Sequence, residues 1–221
     1  MPLLQRQSPR PVPRDLGKVR DAALFVVASE DRFAPDQYFS FLISNRIHVV
    51  VLGTPHGEGP DASRVVKRLE DFEKQYQLDK DMGDQLWALL DTDHWIEAGH
   101  KRNLIEAINS ARPQGHRIAM SNPCFDFWLL LHHENVLPSA QFPDAASVAA
   151  RIRKIVGEFN KTNLKKEHYP PVAIQQAINR AKALDAHGGS APASKDFWPS
   201  ANGSRVYLLM EELQRAGLKL A

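Results

Sequence analysis

Short, unbroken apolar runs alternate with amphipathic stretches over residues 22–134. Ala22–Ala28 and Leu86–Leu90 are continuous apolar runs, and Ile47–Leu52, with its three consecutive valines, and Arg117–Met120 are further strand candidates. Each is too short for a lone helix and fits a strand buried on both faces of a parallel sheet. Between them, Pro35–Asn45 puts Tyr38, Phe39 and Leu42 on one helical face. Asp61 or Ser63 caps a second helix, in which Val65, Val66, Leu69, Phe72 and Tyr76 recur at helical spacing through Gln77. Asn103–Ser110 reads as a third helix, with Leu104, Ile105 and Ile108 apolar. This alternation predicts an α/β fold, a mostly parallel sheet flanked by helices.

Asn122 is expected to cap, and Pro123 to open, an apolar helix through Phe125–Leu131. After Pro138 the pattern turns helical, over Asp144–Phe159, Pro170–Leu184 and Ser204–Gly217. The expected organisation is an α/β core over 21–140 and a helical C-terminal extension, 141–221, packed on it. Residues 1–20 hold four prolines and five basic side chains with no apolar stretch. They read as a flexible basic arm, not a secretory signal.

Composition narrows the function classes. The chain has 221 residues, enough for one sizeable core. The net charge of +2 is too small to name a nucleic-acid partner, so any such contact must use local patches. Cys124 is the single cysteine, which excludes an intrachain disulfide and a cysteine-based zinc site. No apolar run approaches membrane-spanning length, and a cytoplasmic location is the default expectation.

The candidate chemistry lies at predicted strand ends. Asp91 and Asp93 follow the run Leu86–Leu90. At a spacing of two their side chains point the same way, roughly 6–7 Å apart on extended backbone. Such a pair can share a divalent cation or hold one of two, and a cation would relieve their repulsion; the alternative is an Asp-rich turn that ends a strand. Ser29-Glu30-Asp31 is a second acidic cluster after a strand. Ligands of open α/β sheets gather at such ends. The glycine-rich loop 53–60 lacks the Gly-Lys-Ser/Thr ending of a P-loop. Asp126 falls in a first helical turn, where its charge suits the helix dipole. His132, His133 and Glu134 lack the spacing of a His-Glu-x-x-His metal motif and read as helix-end residues. Lys161, Lys165 and Lys166, with Tyr169 nearby, fit either a phosphate-backbone contact or a solvated loop.

With these residues in place, the sequence resembles the RloB family, whose members carry a Toprim-like domain. Ser121-Asn122-Pro123-Cys124-Phe125-Asp126-Phe127-Trp128-Leu129-Leu130-Leu131-His132-His133-Glu134 is close to the family's most recognisable stretch. Leu90–His94 matches its acidic strand end. Lys161–Tyr169 with Ala173–Ala183 matches its basic helical region, and Trp198–Ser200 with Val206–Leu213 its C-terminal part. One departure stands out. The family's first strand usually ends in Cys-Glu-Gly-Glu, followed by Thr-Glu-Pro and an aromatic pair. Here Ala28–Phe39 is one residue longer and poorer in acid. Glu30 is the candidate for the Toprim glutamate, and Ser29 stands in its place if the alignment shifts by one.

The resemblance implies a Toprim-like sheet and a nuclease-type site. Glu30, Asp91 and Asp93 would be its catalytic, metal-binding carboxylates, with Mg²⁺ or Mn²⁺ as cofactor. His94, Asn122 and Asp126 would support them, and Lys161, Lys165, Lys166 and Tyr169 would meet the nucleic acid, DNA or RNA. It further implies an effector of bacterial anti-phage abortive infection working with an AAA- or ABC-type ATPase. Restraint of such a nuclease would come from that partner or from a self-blocking homo-oligomer. Phe142, Phe159, Phe197 and Trp198 are aromatic candidates for a protein contact or for core packing. Two other readings are a degenerate Toprim module that binds without cutting, and a nucleotide-binding regulator resting on the 53–60 loop alone.

Overall fold

The computed structural model describes residues 22–93, 98–187, 199 and 201–220. Its strands are β1 (Ala23–Ser29), β2 (Ile47–Leu52), β3 (Gln85–Asp91), β4 (Arg117–Asn122) and β5 (Gly203–Ser204). The helices are α1 (Ala34–Ser40), α2 (Ala62–Gln75), α3 (Ala98–Ala111), α4 (Phe125–Leu130), α5 (Ala145–Val156), α6 (Pro171–His187) and α7 (Val206–Arg215). The strands form one five-stranded sheet in the order β2-β1-β3-β4-β5. The first four strands run parallel, and β5 pairs antiparallel with the end of β4. The fold is thus α/β with a mostly parallel sheet flanked by helices, as the alternation predicts.

Side-chain alternation along each strand divides the core in two. Leu24, Val26, Ala28, Leu86, Ala88, Leu90 and Met120 face α2 and α3. Phe25, Val27, Trp87, Leu89 and Ala119 face α1, α4, α5, α6 and α7, which share one apolar cluster. Helix α4 is apolar nearly all round, and each of its six residues is buried. That is the signature of a helix inside a core rather than on it. It packs on β4 and is wrapped by α1, α5 and α6. Phe142 and Phe159 pack against this same cluster, with the Phe142 ring edge-on to Phe127. Phe197 and Trp198 lie outside the described residues.

The start of α4 corrects the expected cap. Asn122 is the last residue of β4, the Asn122–Pro123 peptide is cis, and Cys124 is the N-cap with extended backbone. Pro123 cannot open the helix because its carbonyl serves the strand ends: it accepts from the N–H groups of Thr92 (2.8 Å) and Asp93 (3.0 Å). The turn after β3 is therefore docked on the turn after β4. Helix α5 stops at Val156, short of Phe159, because Gly157 takes a positive φ of 84° and ends it. Gly53 lies so near the Arg32 carbonyl that a Cβ would sit 2.8 Å from its oxygen, so only glycine fits this approach.

Candidate functional site

The chain leaves β1 for β2 on one side, whereas β3 leads on to β4 on the other. The order therefore reverses between β1 and β3, and the crevice beyond their carboxyl ends is the topological switch point, the usual ligand position of an open α/β sheet. Glu30 follows β1 directly, and Asp91 is the last residue of β3. Asp93 sits in the next turn, and Asp126 occupies the first turn of α4, just after β4. Three strand ends thus deliver carboxylates to one crevice.

Burial and neighbouring charge act on these carboxylates together. The Asp91 carboxyl is pushed well above the usual carboxylate range, first by burial and then by Glu30, Asp93 and Asp31, with Lys161 opposing. Asp126, which is 0% exposed, is pushed up to about 6, mainly by burial, against the pull of Lys161. Burial also raises the Cys124 thiol, with Asp91 and Asp126 adding to it. Burial would strip the proton from Lys161, yet Asp126 and Asp31 hold its ammonium above the ordinary lysine range. Its Nζ lies 3.1 Å from Asp31 Oδ2 and 3.1 Å from Asp126 Oδ2. Among the described residues, the carboxylates Glu30, Asp31, Asp91, Asp93 and Asp126 share this crevice with the Lys161 ammonium.

A second cation flanks the site from α2. The Arg68 guanidinium donates to the Ser29 carbonyl (2.8 Å) and to Thr54 Oγ1 (3.2 Å), and Thr54 in turn donates to Ser29 O. Glu30 is among the carboxylates that act on Arg68. Sequence reasoning missed Arg68, although a signal exists: it falls three residues after Val65 and four before Phe72, on the apolar stripe of α2. Asp31, the last residue of the acidic cluster after β1, serves two elements at once. Its Oδ1 accepts from the N–H groups of Phe33 (2.8 Å) and Ala34 (3.1 Å), which starts α1, while Oδ2 faces Lys161.

The lysines grouped by sequence have different settings. Lys161 is turned into the carboxylates. Lys165 pairs with Glu158, and Lys166 is exposed. Tyr169 is buried, stacked on Phe41 and edge-on to Tyr38 and His132. Asn122 is half-buried and donates through Nδ2 to the Pro199 carbonyl at 3.2 Å, tying β4 to the C-terminal segment. His94 lies outside the described residues.

A family model described as RloB-like protein matches residues 25–213. The chain belongs to the RloB-like family. No curated protein and no solved structure matches it. The RloB-like match starts in β1 and ends in α7. It therefore spans every carboxylate of the crevice and the Lys161 loop. Among the described residues of this RloB-like chain, no three His, Cys, Asp or Glu side chains are drawn into a finished cation cage. The donors are all hard carboxylate oxygens, and their mutual repulsion is what a cation would offset, so the residues fit Mg²⁺ or Mn²⁺ chemically.

Proposed function

We propose that this chain is a Toprim-type, Mg²⁺-dependent (or Mn²⁺-dependent) endonuclease, an effector of bacterial anti-phage abortive infection that acts with an AAA- or ABC-type ATPase. The observation that carries the reading is the position of Glu30, Asp91 and Asp93 at the strand ends of the switch-point crevice, with the Asp91 carboxyl raised by burial and then by Glu30 and Asp93. Glu30, Asp91 and Asp93 would hold the cation. When bound, it would polarise the phosphate and stabilise charge on the attacking and leaving oxygens. The chain's own residues supply the frame. Thr92 and Asp93 are pinned through their N–H groups to the Pro123 carbonyl, so the acidic turn keeps its place. Arg68 fastens the end of β1 to α2 beside Glu30. Of the three lysines, exposed Lys166, and Lys165 by exchanging its exposed partner Glu158, would meet a phosphate backbone. The partner ATPase and the defence role rest on the family resemblance.

The test is cleavage of plasmid DNA, single-stranded DNA, tRNA and other RNA under Mg²⁺, Mn²⁺ and EDTA, with and without the neighbouring ATPase. Metal-dependent cutting of one class, lost in Asp91→Asn, is the expected result. No cutting of any substrate under either metal, with or without the ATPase, would leave the second reading.

That second reading is a module that binds nucleic acid or its ATPase without cutting. Two observations favour it: the crevice already holds the Lys161 ammonium, and the first acidic motif departs from the family pattern. A gel-shift that is retained in EDTA and unchanged by Asp91→Asn is its signature.

A further inference from the structure

Lys161 reaches the crevice from the loop between α5 and α6, and the loop is held there before any ligand arrives. Gln37, on α1, donates through Nε2 to the Lys161 carbonyl at 2.6 Å, and its Oε1 accepts the Leu164 N–H at 2.7 Å. One side-chain amide therefore grips the loop at two points. Asn160 closes the turn between them, with Oδ1 accepting from the N–H (2.9 Å) and hydroxyl (2.8 Å) of Thr162.

The two carboxylates that receive the ammonium are equally fixed. Asp31 is held by the N–H groups at the start of α1. Asp126 is sealed within α4, and among the described residues no donor other than Lys161 reaches its oxygens. Asp31 and Asp126 thus form a rigid pair of oxygen donors with a cation seated between them. The neighbouring Asp91 and Asp93 contribute to the same negative field. A lysine ammonium brings one positive charge to such a seat, where a divalent ion would bring two and would need oxygen ligands of the same kind.

We propose that the Lys161 ammonium occupies a second cation position of the crevice, between Asp31 and Asp126, so that the chain binds one divalent ion fewer than its carboxylates would otherwise hold. The idea builds on the carboxylate-site reading given above, but its test is separate. Neutralising Lys161 leaves two fixed carboxylates facing each other without a counter-charge. A buried, unanswered charge is costly, and a divalent cation is the species these oxygens would recruit.

Mn²⁺ bound per chain is counted at pH 8 by electron paramagnetic resonance of the free ion and by titration calorimetry. The proteins are the full-length wild type, Lys161→Met, Lys161→Gln, Lys161→Arg and the double variant Lys161→Met/Asp126→Asn. Met and Gln are expected to bind one Mn²⁺ more than wild type, Arg to match wild type, and the double variant to return to the wild-type count. Equal counts in wild type and both neutral variants overturn the proposal, whatever that count is. The wild-type count tests the metal reading on its own: none in wild type but one in Lys161→Met removes that reading and keeps this one. Should the neutral variants fold poorly, melting followed by circular dichroism decides. Mn²⁺ is expected to restore the melt of Lys161→Met but not of the double variant. No response to Mn²⁺ in either overturns the proposal.

Discussion

The backbone N–H of Glu30 donates to the carbonyl of Leu89 at 3.4 Å, continuing the β1–β3 register one residue past the end of β1. Asp91 lies two residues beyond that carbonyl on the same strand, so the bond holds Glu30 at the mouth of the crevice that Asp91 closes. Ser29 is engaged differently. It is buried, its Oγ accepts from Asp31 N–H at 3.1 Å, and its carbonyl is the anchor for Thr54 and Arg68.

Glu30→Gln is therefore expected to lower Mg²⁺-dependent cleavage as severely as Asp91→Asn, by about 10²-fold or more, the usual scale for losing a group that stabilises developing charge. Ser29→Ala is expected to leave the rate within a few-fold and to cost about 1 kcal/mol of stability for its lost hydrogen bond. Initial rates and urea melts of the three variants check this. A silent Glu30→Gln with a damaging Ser29→Ala would move the functional position to Ser29.

Asp91→Asn is expected to raise the melting temperature in EDTA. Ionising Asp91 in the folded chain is opposed by burial and by Glu30, Asp93 and Asp31, and the amide removes that penalty. Adding Mg²⁺ should reverse the ranking, because wild type gains the ligand's binding energy and the variant loses most of it. Thermal melts with and without Mg²⁺ decide. A variant stabilised by Mg²⁺ as much as wild type would mean that Asp91 does not hold the ion.

The four parallel strands were legible in the sequence because each is a mostly apolar run bounded by polar turns, and the acidic strand ends because Asp91 and Asp93 directly follow such a run. Strand β5 was not. Gly203 and Ser204 carry no pattern; what sets them beside β4 is long-range, the Ser121–Ser204 hydroxyl pair (2.8 Å), the Arg205 N–H on the Met120 carbonyl (2.7 Å) and the buried Arg205–Asp185 ion pair (3.0 Å) that holds the segment to α6. The start of α4 misled for a local reason: Asn-Pro before an apolar stretch looks like a cap and first turn, yet long-range hydrogen bonds from Thr92 and Asp93 claim the Pro123 carbonyl. Lys161, Lys165 and Lys166 look alike by spacing. What separates them is Gln37, 124 positions from Lys161, and no local pattern encodes that contact.

The separation has a consequence for salt dependence. Each lysine that replaces a counterion on a duplex contributes about 0.9 to the log–log slope. Lys165→Ala/Lys166→Ala is expected to flatten the slope by up to about two units and to weaken binding for all sequences alike. Lys161→Ala is expected to leave the slope within about half a unit, since its charge is answered by Asp31 and Asp126 and not by phosphate. Binding measured over a range of KCl concentrations checks both. If Lys161→Ala alone flattens the slope by a full unit, the ammonium leaves its carboxylates when nucleic acid binds.

His132 should make the fold acid-sensitive. Its Nδ1–H donates to the Trp128 carbonyl at 3.0 Å, which leaves Nε2 to accept the Tyr38 hydroxyl at 3.0 Å, so the neutral tautomer is fixed. Burial, with His133 and Arg180 adding positive charge nearby, lowers its pKa from 6.5 to about 3. The unfolded chain therefore takes up a proton near pH 6.5, while the folded chain refuses it until about pH 3. Stability from this group is full above the upper value and drains away as pH falls through the window, at up to about 1.4 kcal/mol per pH unit. His132→Phe loses the hydrogen bond to Tyr38, so it should be less stable than wild type at pH 8. Its stability should nevertheless fall less steeply with acid, and the two curves should converge as the pH drops. His133 is also held down by burial and by His168 and Arg180, so His133→Phe is the control for a shared slope. Urea unfolding of the three proteins between pH 5 and pH 8 gives the answer. Parallel curves for wild type and His132→Phe would mean that His132 takes up its proton equally in the folded and unfolded chain, and that burial does not hold it neutral.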